Sequence, residues 1–155
     1  MSKSDPIVIV GASRTPMGGF QGDFTNAQAT DLGASAIGGA LAGAGLAPEA
    51  VEEVIMGCVL PAGQGQAPAR QASLKAGLPL GTGATTVNKM CGSGMKAAML
   101  AHDLILAGSA DVIVAGGMES MTNAPYLLPK ARGGLSHGPW TGARPYVPRW
   151  AGRCL

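Results

Sequence analysis

Aromatic residues make up only 4% of this 155-residue chain, and charged residues only 13%. A core without rings must come from Ala, Gly, Val, Ile, Leu and Met, which suits a buried sheet flanked by Ala-rich helices better than a β-sandwich. No apolar run approaches the ~20 residues of a membrane span, and Met1 to Pro6 leads into no signal-peptide cleavage pattern. No membrane partner is expected. The three cysteines, Cys58, Cys91 and Cys154, have neither paired nor metal-ligand spacing. That argues against a disulfide framework and a metal centre, and points to a reducing cytoplasm.

Net charge is also scarce. The formal +2 arises at the end of the chain, where residues 136–155 hold Arg144, Arg149 and Arg153 and no acid. The rest carries eight Lys and Arg against nine Asp and Glu, a net −1. There is no basic stripe for nucleic acid to bind.

What the chain does have is 46% hydrophobic residues and 25 glycines with no Gly-X-Y period. That composition excludes collagen and suggests tight turns and close packing. The length suits one domain. Ile7-Val8-Ile9-Val10 reads as a buried strand. Thr30 or Asp31 can cap an Ala-rich helix through about Ala44, stopped by Gly45 and Pro48. Glu53 to Met56 reads as a second strand and Pro61 to Gln66 as a loop. A short helix is predicted over 69–76, a strand over 85–87 running straight into Cys91, a helix over 92–107 and a buried strand over 112–115. Strands alternating with helices predict an α/β fold, a parallel sheet covered on both faces. Periodicity ends after Gly116. Residues 136–155, with three prolines and both tryptophans, do not read as the same protein.

The stretch from Val87 to Ala98 carries the chemistry. A cysteine between a buried strand and the first turn of a helix lies among unpaired backbone N–H groups at the positive end of the helix dipole. That setting favours the thiolate, the nucleophilic form. Gly92 and Gly94 let a substrate approach, and a backbone N–H there can stabilise an oxyanion when the sulfur attacks a thioester. The competing reading is a small buried hydrophobe. Cys58, at a strand end, suits that plainer reading. His102 sits eleven residues beyond Cys91 on the same helix, about 16 Å along it, and His137 lies in the divergent tail, so neither serves as a local base. Gly63-Gln64-Gly65 and Gly81-Thr82-Gly83 match no phosphate-binding fingerprint and read as turns. Lys89 and Lys96 read as solvated, although either can reach an acidic cofactor. Met90, Met95, Met99, Met118 and Met121 are expected to fill core or pocket walls.

At these residues the chain resembles the thiolase family. Ala12-Ser13-Arg14-Thr15-Pro16 follows the first strand, and Met56-Gly57-Cys58-Val59-Leu60 leads to the Gly/Gln loop ending near Arg70-Gln71. Asn88 to Gly94 is the nucleophile motif, and Ala115 to Met121 reads Ala-Gly-Gly-Met-Glu-Ser-Met. The resemblance runs from Ile7 to about Leu135. It implies a five-layered αβαβα fold made of two similar halves, with this chain as the N-terminal half around a mixed, mainly parallel sheet. Cys91 matches the cysteine that becomes acylated. Also implied are acetyl-CoA or other acyl-CoA substrates, no metal, no bound cofactor, and a homodimer or homotetramer. On this plan residues 1–117 are the α/β domain and 118–135 begin a loop domain.

In the family, a His that activates the nucleophile, a second Cys acting as acid and base, and an Asn at the oxyanion site come from the second half. None of those stretches is present here. Residues 137–155, reread one nucleotide later under permitted codons, can yield a stretch resembling the family's continuation after Leu135, which implies a frameshift near Leu135 or Ser136. Two other readings stay open. One is an inert fragment without turnover; the other is a related β-ketoacyl synthase type of condensing enzyme.

Overall fold

The computed structural model describes residues 6–127. The segment expected to be out of frame, with His137 and Cys154, lies outside those residues, as does most of the expected loop domain. Residues through Ala124 form one unit, and Pro125 opens a second.

The first helix, α1 (Ala29–Ala44), starts one residue before the expected caps. Gln28 is the N-cap, and its N–H donates to the Asp31 carboxylate at 3.0 Å. Thr30 is fully buried instead of capping, and its hydroxyl accepts from Lys75 Nζ at 2.8 Å. Gly45 ends the helix in the left-handed region at φ 65°, a conformation glycine adopts without steric cost. A single 3-10 turn at Pro48–Ala50 leads into strand β1 (Glu53–Gly57). Helix α2 (Pro68–Lys75), strand β2 (Gly83–Val87), helix α3 (Ser93–Leu106) and strand β3 (Ile113–Gly117) complete the described elements.

The sheet is parallel, in the order β2-β1-β3, with Gly57 level with both Val87 and Gly117. The α/β expectation holds. Alternation along the central strand sorts two core layers. Val54, Met56 and Cys58 pack with Ile37 and Leu41 of α1 and Ala69 and Ala72 of α2. Ile55 faces the opposite way and packs with Ala97 and Ala101 of α3. Parallel neighbours require crossovers, and here α2 takes one face and α3 the other, so β2 and β3 flank β1.

Two further expectations fail in the core. Ile7 to Val10 forms no strand: Val8, Ile9 and Val10 are 64%, 90% and 63% exposed, and none of them has a backbone hydrogen bond among the described residues. A β-branched run is strand-capable, but a strand also needs a ladder partner, and none of the described strands supplies one. Four of the five methionines also stay out of the core. Met95 and Met99 on α3 are exposed, as are Met90 and Met121, while Met118 alone of the five is buried. Ser93, Ala97 and Ala101 form the buried face of α3, because small side chains let the helix lie close on the sheet.

That closeness is tightest at the end of β1. A Cβ on Gly57 would stand 2.6 Å from the Cβ of Ser93 and 2.8 Å from the Gly94 nitrogen. The start of α3 therefore rests directly on the sheet. Gly57→Ala is expected to destabilise the fold by about 1–3 kcal/mol, the usual cost of overpacking. A lower urea midpoint at unchanged slope would register it.

Candidate active site

The carboxyl ends of parallel strands are where open α/β sheets bind ligands. Cys91 lies just beyond that end of β2. The strand stops at Val87, and a turn over 88–92 intervenes before α3, so the chain does not run straight into the cysteine. The turn is tight. Gly92 N–H donates to the Lys89 carbonyl at 3.1 Å and Ser93 N–H to the Met90 carbonyl at 3.0 Å. Lys89 N–H donates to Ser93 Oγ at 2.8 Å, and that hydroxyl donates to the Met90 carbonyl at 2.6 Å.

Met90, directly before the cysteine, is held at φ 50°. For a residue with a Cβ the left-handed region costs about 1–2 kcal/mol. Its N–H donates to Asn88 Oδ1 at 3.0 Å, a local bond of the kind asparagine makes in turns. The other end of the Asn88 carboxamide donates from Nδ2 to the Val59 carbonyl at 3.2 Å. Cys91 itself is free and exposed. The reading of Cys91 as a buried small hydrophobe is therefore excluded. The N–H groups of Gly94 and Met95, in the first turn of α3, have no backbone acceptor among the described residues, as the start of a helix dictates.

Cys58 has the opposite surroundings. It is 1% exposed. Gln64 Nε2 lies 3.4 Å from its sulfur and Glu119 Oε1 3.7 Å. Burial, and then the nearby Glu119 carboxylate, push this thiol above its ordinary pKa. A raised value keeps the thiol protonated and unreactive near neutral pH. In competitive labelling at graded pH, Cys91 is expected to react first, with Cys58 following only under more alkaline conditions than an ordinary thiol requires. Faster labelling of Cys58 in folded protein would contradict this.

Glu119 joins the ends of β1 and β3. Its carboxylate accepts from Val59 N–H at 2.8 Å and Leu60 N–H at 3.1 Å, while Met118 N–H donates to the Gly57 carbonyl at 2.9 Å. Sequence reasoning placed Glu119 and Asn88 within motifs but assigned neither a role. Their partners lie 60 and 29 positions away, beyond the reach of local pattern. His102 is exposed, with its ring nitrogen 3.3 Å from the Asp103 carboxylate. The structure does not bring it to the cysteine as a base. A polar cleft of about 360 Å³, lined in part by Gln28, Gln64 and Asn123, does not include Cys91. Among the described residues no group of His, Cys, Asp and Glu is arranged to hold a metal ion, and no helix is long and apolar enough to cross a membrane.

Comparison with known proteins agrees with this geometry. The thiolase N-terminal domain model matches residues 7–148. Acetyl-CoA acetyltransferase of Cupriavidus necator is 54% identical over 132 residues, which are 85% of this chain and 34% of that protein. The mitochondrial acetyl-CoA acetyltransferase of Rattus norvegicus is also 54% identical, over 85% of this chain and 31% of its own length. A crystal structure of the Acat5 thiolase from Ascaris suum in complex with coenzyme A superposes with a TM-score of 0.80 at 37% identity, covering 88% of this chain and 35% of that one. The chain thus spans about a third of the length of the curated relatives it matches. With an exposed Cys91 beyond the carboxyl end of a parallel strand and a family match over residues 7–148, the chain belongs to the thiolase family.

Proposed function

We propose that this chain supplies the acyl-accepting nucleophile of an acetyl-CoA C-acetyltransferase. The observation that carries the reading is the exposed thiol of Cys91 at the mouth of α3, where Cys58 is sealed in the core. The Cys91 thiolate attacks the thioester carbonyl of acetyl-CoA. A new S–C bond forms, the bond to the coenzyme A sulfur breaks, and coenzyme A leaves and takes a proton. A second acetyl-CoA, deprotonated at its methyl group, then attacks the acyl carbon. A C–C bond forms, Cys91 is released, and acetoacetyl-CoA is the product. Thiolysis is the reverse. The free N–H groups at the start of α3 suit the transient oxyanion of the first step. Substrates are acetyl-CoA or related acyl-CoA thioesters, with no resident cofactor.

The same reading places residues 1–117 in the α/β domain, 118–135 at the opening of a loop domain, and 136–155 out of frame. The change in composition at residue 136 supports that last assignment, while the family match continues to residue 148. The parent protein is read as a homodimer or homotetramer in the cytoplasm. Cysteine usage supports a reducing compartment, and the names of relatives include both a cytosolic and a mitochondrial form.

The test is acid-quenched peptide mapping after a pulse of acetyl-CoA. One acetyl group is expected on the Cys91 peptide, none on the Cys58 peptide, and none anywhere in Cys91→Ala. Acetylation that survives in Cys91→Ala would remove the assignment.

A further inference from the structure

We infer that Asn88 is a positioning residue for Cys91, and that Glu119 anchors the support from which Asn88 works. The use made of that position rests on the acyl-transfer reading above, while the positioning stands on hydrogen bonds within the fold. The turn before α3 holds Met90 in the left-handed region directly before Cys91, which itself precedes the N-cap Gly92. Met90 has a Cβ and does not stay there unaided. Asn88 Oδ1 holds its N–H at 3.0 Å, and Asn88 Nδ2 grips the Val59 carbonyl at 3.2 Å.

Only a carboxamide side chain both accepts at one end and donates two hydrogens at the other. Among the described residues, this is the only side-chain hydrogen bond between the nucleophile turn and the loop after β1. That loop is itself fixed, because the Val59 and Leu60 N–H groups both end on the Glu119 carboxylate after β3. A continuous set of bonds therefore runs from Glu119, after β3, through the 59–60 loop and Asn88 to the N–H of Met90, the residue before Cys91. Ser93 braces the turn from the helix side, and Asn88 braces it from the sheet side.

The experiment compares wild type, Asn88→Ala, Asn88→Ser and the double variant Asn88→Ala with Met90→Gly, all in the full chain and all checked for cooperative melting. For each, the rate of Cys91 acylation by acetyl-CoA is divided by its rate of alkylation by iodoacetamide. Acylation needs the carbonyl oxygen placed against fixed donors; alkylation needs little more than access. Hydrogen exchange at the Met90 amide is followed in parallel wherever Met90 is retained.

Asn88→Ala is expected to lower the ratio roughly ten- to a hundredfold, the effect of a misplacement of about 1 Å. Met90 amide protection should fall about three- to tenfold, the worth of one hydrogen bond. Adding Met90→Gly should restore most of the ratio, since glycine holds a positive φ without a clamp. Asn88→Ser should restore part of it, because a hydroxyl accepts the same N–H more weakly. A ratio within about twofold of wild type in folded Asn88→Ala, or no rescue by Met90→Gly, overturns the inference. If Asn88→Ala does not fold, Asn88→Ser carries the comparison alone, and an unchanged ratio and Met90 protection in it overturn the inference. If wild type is alkylated but never acylated, the acyl-transfer reading fails, and Met90 exchange decides the positioning: lost protection in Asn88→Ala upholds it and unchanged protection overturns it.

Discussion

Purified alone, the 155-residue chain is expected to take one acetyl group on Cys91 and then stop, forming acetoacetyl-CoA at least about 10⁴-fold more slowly than a thiolase carrying the same site with a second half. Turnover requires a base for the thiol, a group that deprotonates the second acetyl-CoA, and a complete oxyanion site. No described side chain hydrogen-bonds to Cys91, and His102 is turned to Asp103. Acid–base groups contribute ~10²–10⁴-fold each, and an oxyanion donor ~10²–10³-fold. These losses overlap, because residues acting as a unit are not additive, so the figure is set well below their product. Product formation by the chain is compared with that of a version continued in frame through a thiolase second half, with Cys91→Ala as the blank in each. Equal turnover would mean that a base within this chain reaches the sulfur.

Glu119→Ala is expected to be the most damaging substitution of a charged residue in the fold, at about 2–3 kcal/mol. The carboxylate takes two backbone N–H groups, Val59 and Leu60, at 2.8 and 3.1 Å. Hydrogen bonds to a charged group contribute about 1.5–3 kcal/mol each, and the part-buried setting lets water replace a share of that. Glu119→Gln keeps one acceptor oxygen and should lose less. Removing the carboxylate also takes away one of the causes that raise the Cys58 thiol, so Cys58 labelling should shift toward lower pH in the same variant. Urea midpoints read the first effect and peptide mapping the second. A loss under about 0.5 kcal/mol, the range of an ordinary surface change, would show that the link between β1 and β3 does not depend on Glu119.

Local pattern was enough for most of the architecture. Helix α1 ends at Gly45, the turn after α2 closes at Gly77, and the three strands fall within a residue or two of the apolar runs that signalled them. Ile7 to Val10 shows where pattern stops, because propensity says that a segment can extend and not what it pairs with. Met95 and Met99 show a different limit. Their hydrophobicity suggested burial, yet the contact with the sheet is made by Ala97 and Ala101, whose small size brings α3 close. The position of Cys91 between a strand and a helix was legible because strand, turn and helix are contiguous in sequence. The supports were not legible. Asn88 acts on Val59 and Glu119 on Val59 and Leu60 only after the sheet order has brought three strand ends together.

The claim that Cys91 is the acyl-accepting thiol is tested most directly by protection and release. The chain is incubated with acetyl-CoA, freed of reagent, and alkylated with iodoacetamide; a second portion is treated with hydroxylamine, which cleaves thioesters, before alkylation. Acetyl-CoA should protect Cys91 from alkylation, and hydroxylamine should return it to the rate of untreated protein, with Cys58 unaffected throughout. Full alkylation of Cys91 after acetyl-CoA, or protection that hydroxylamine does not reverse, would contradict the account.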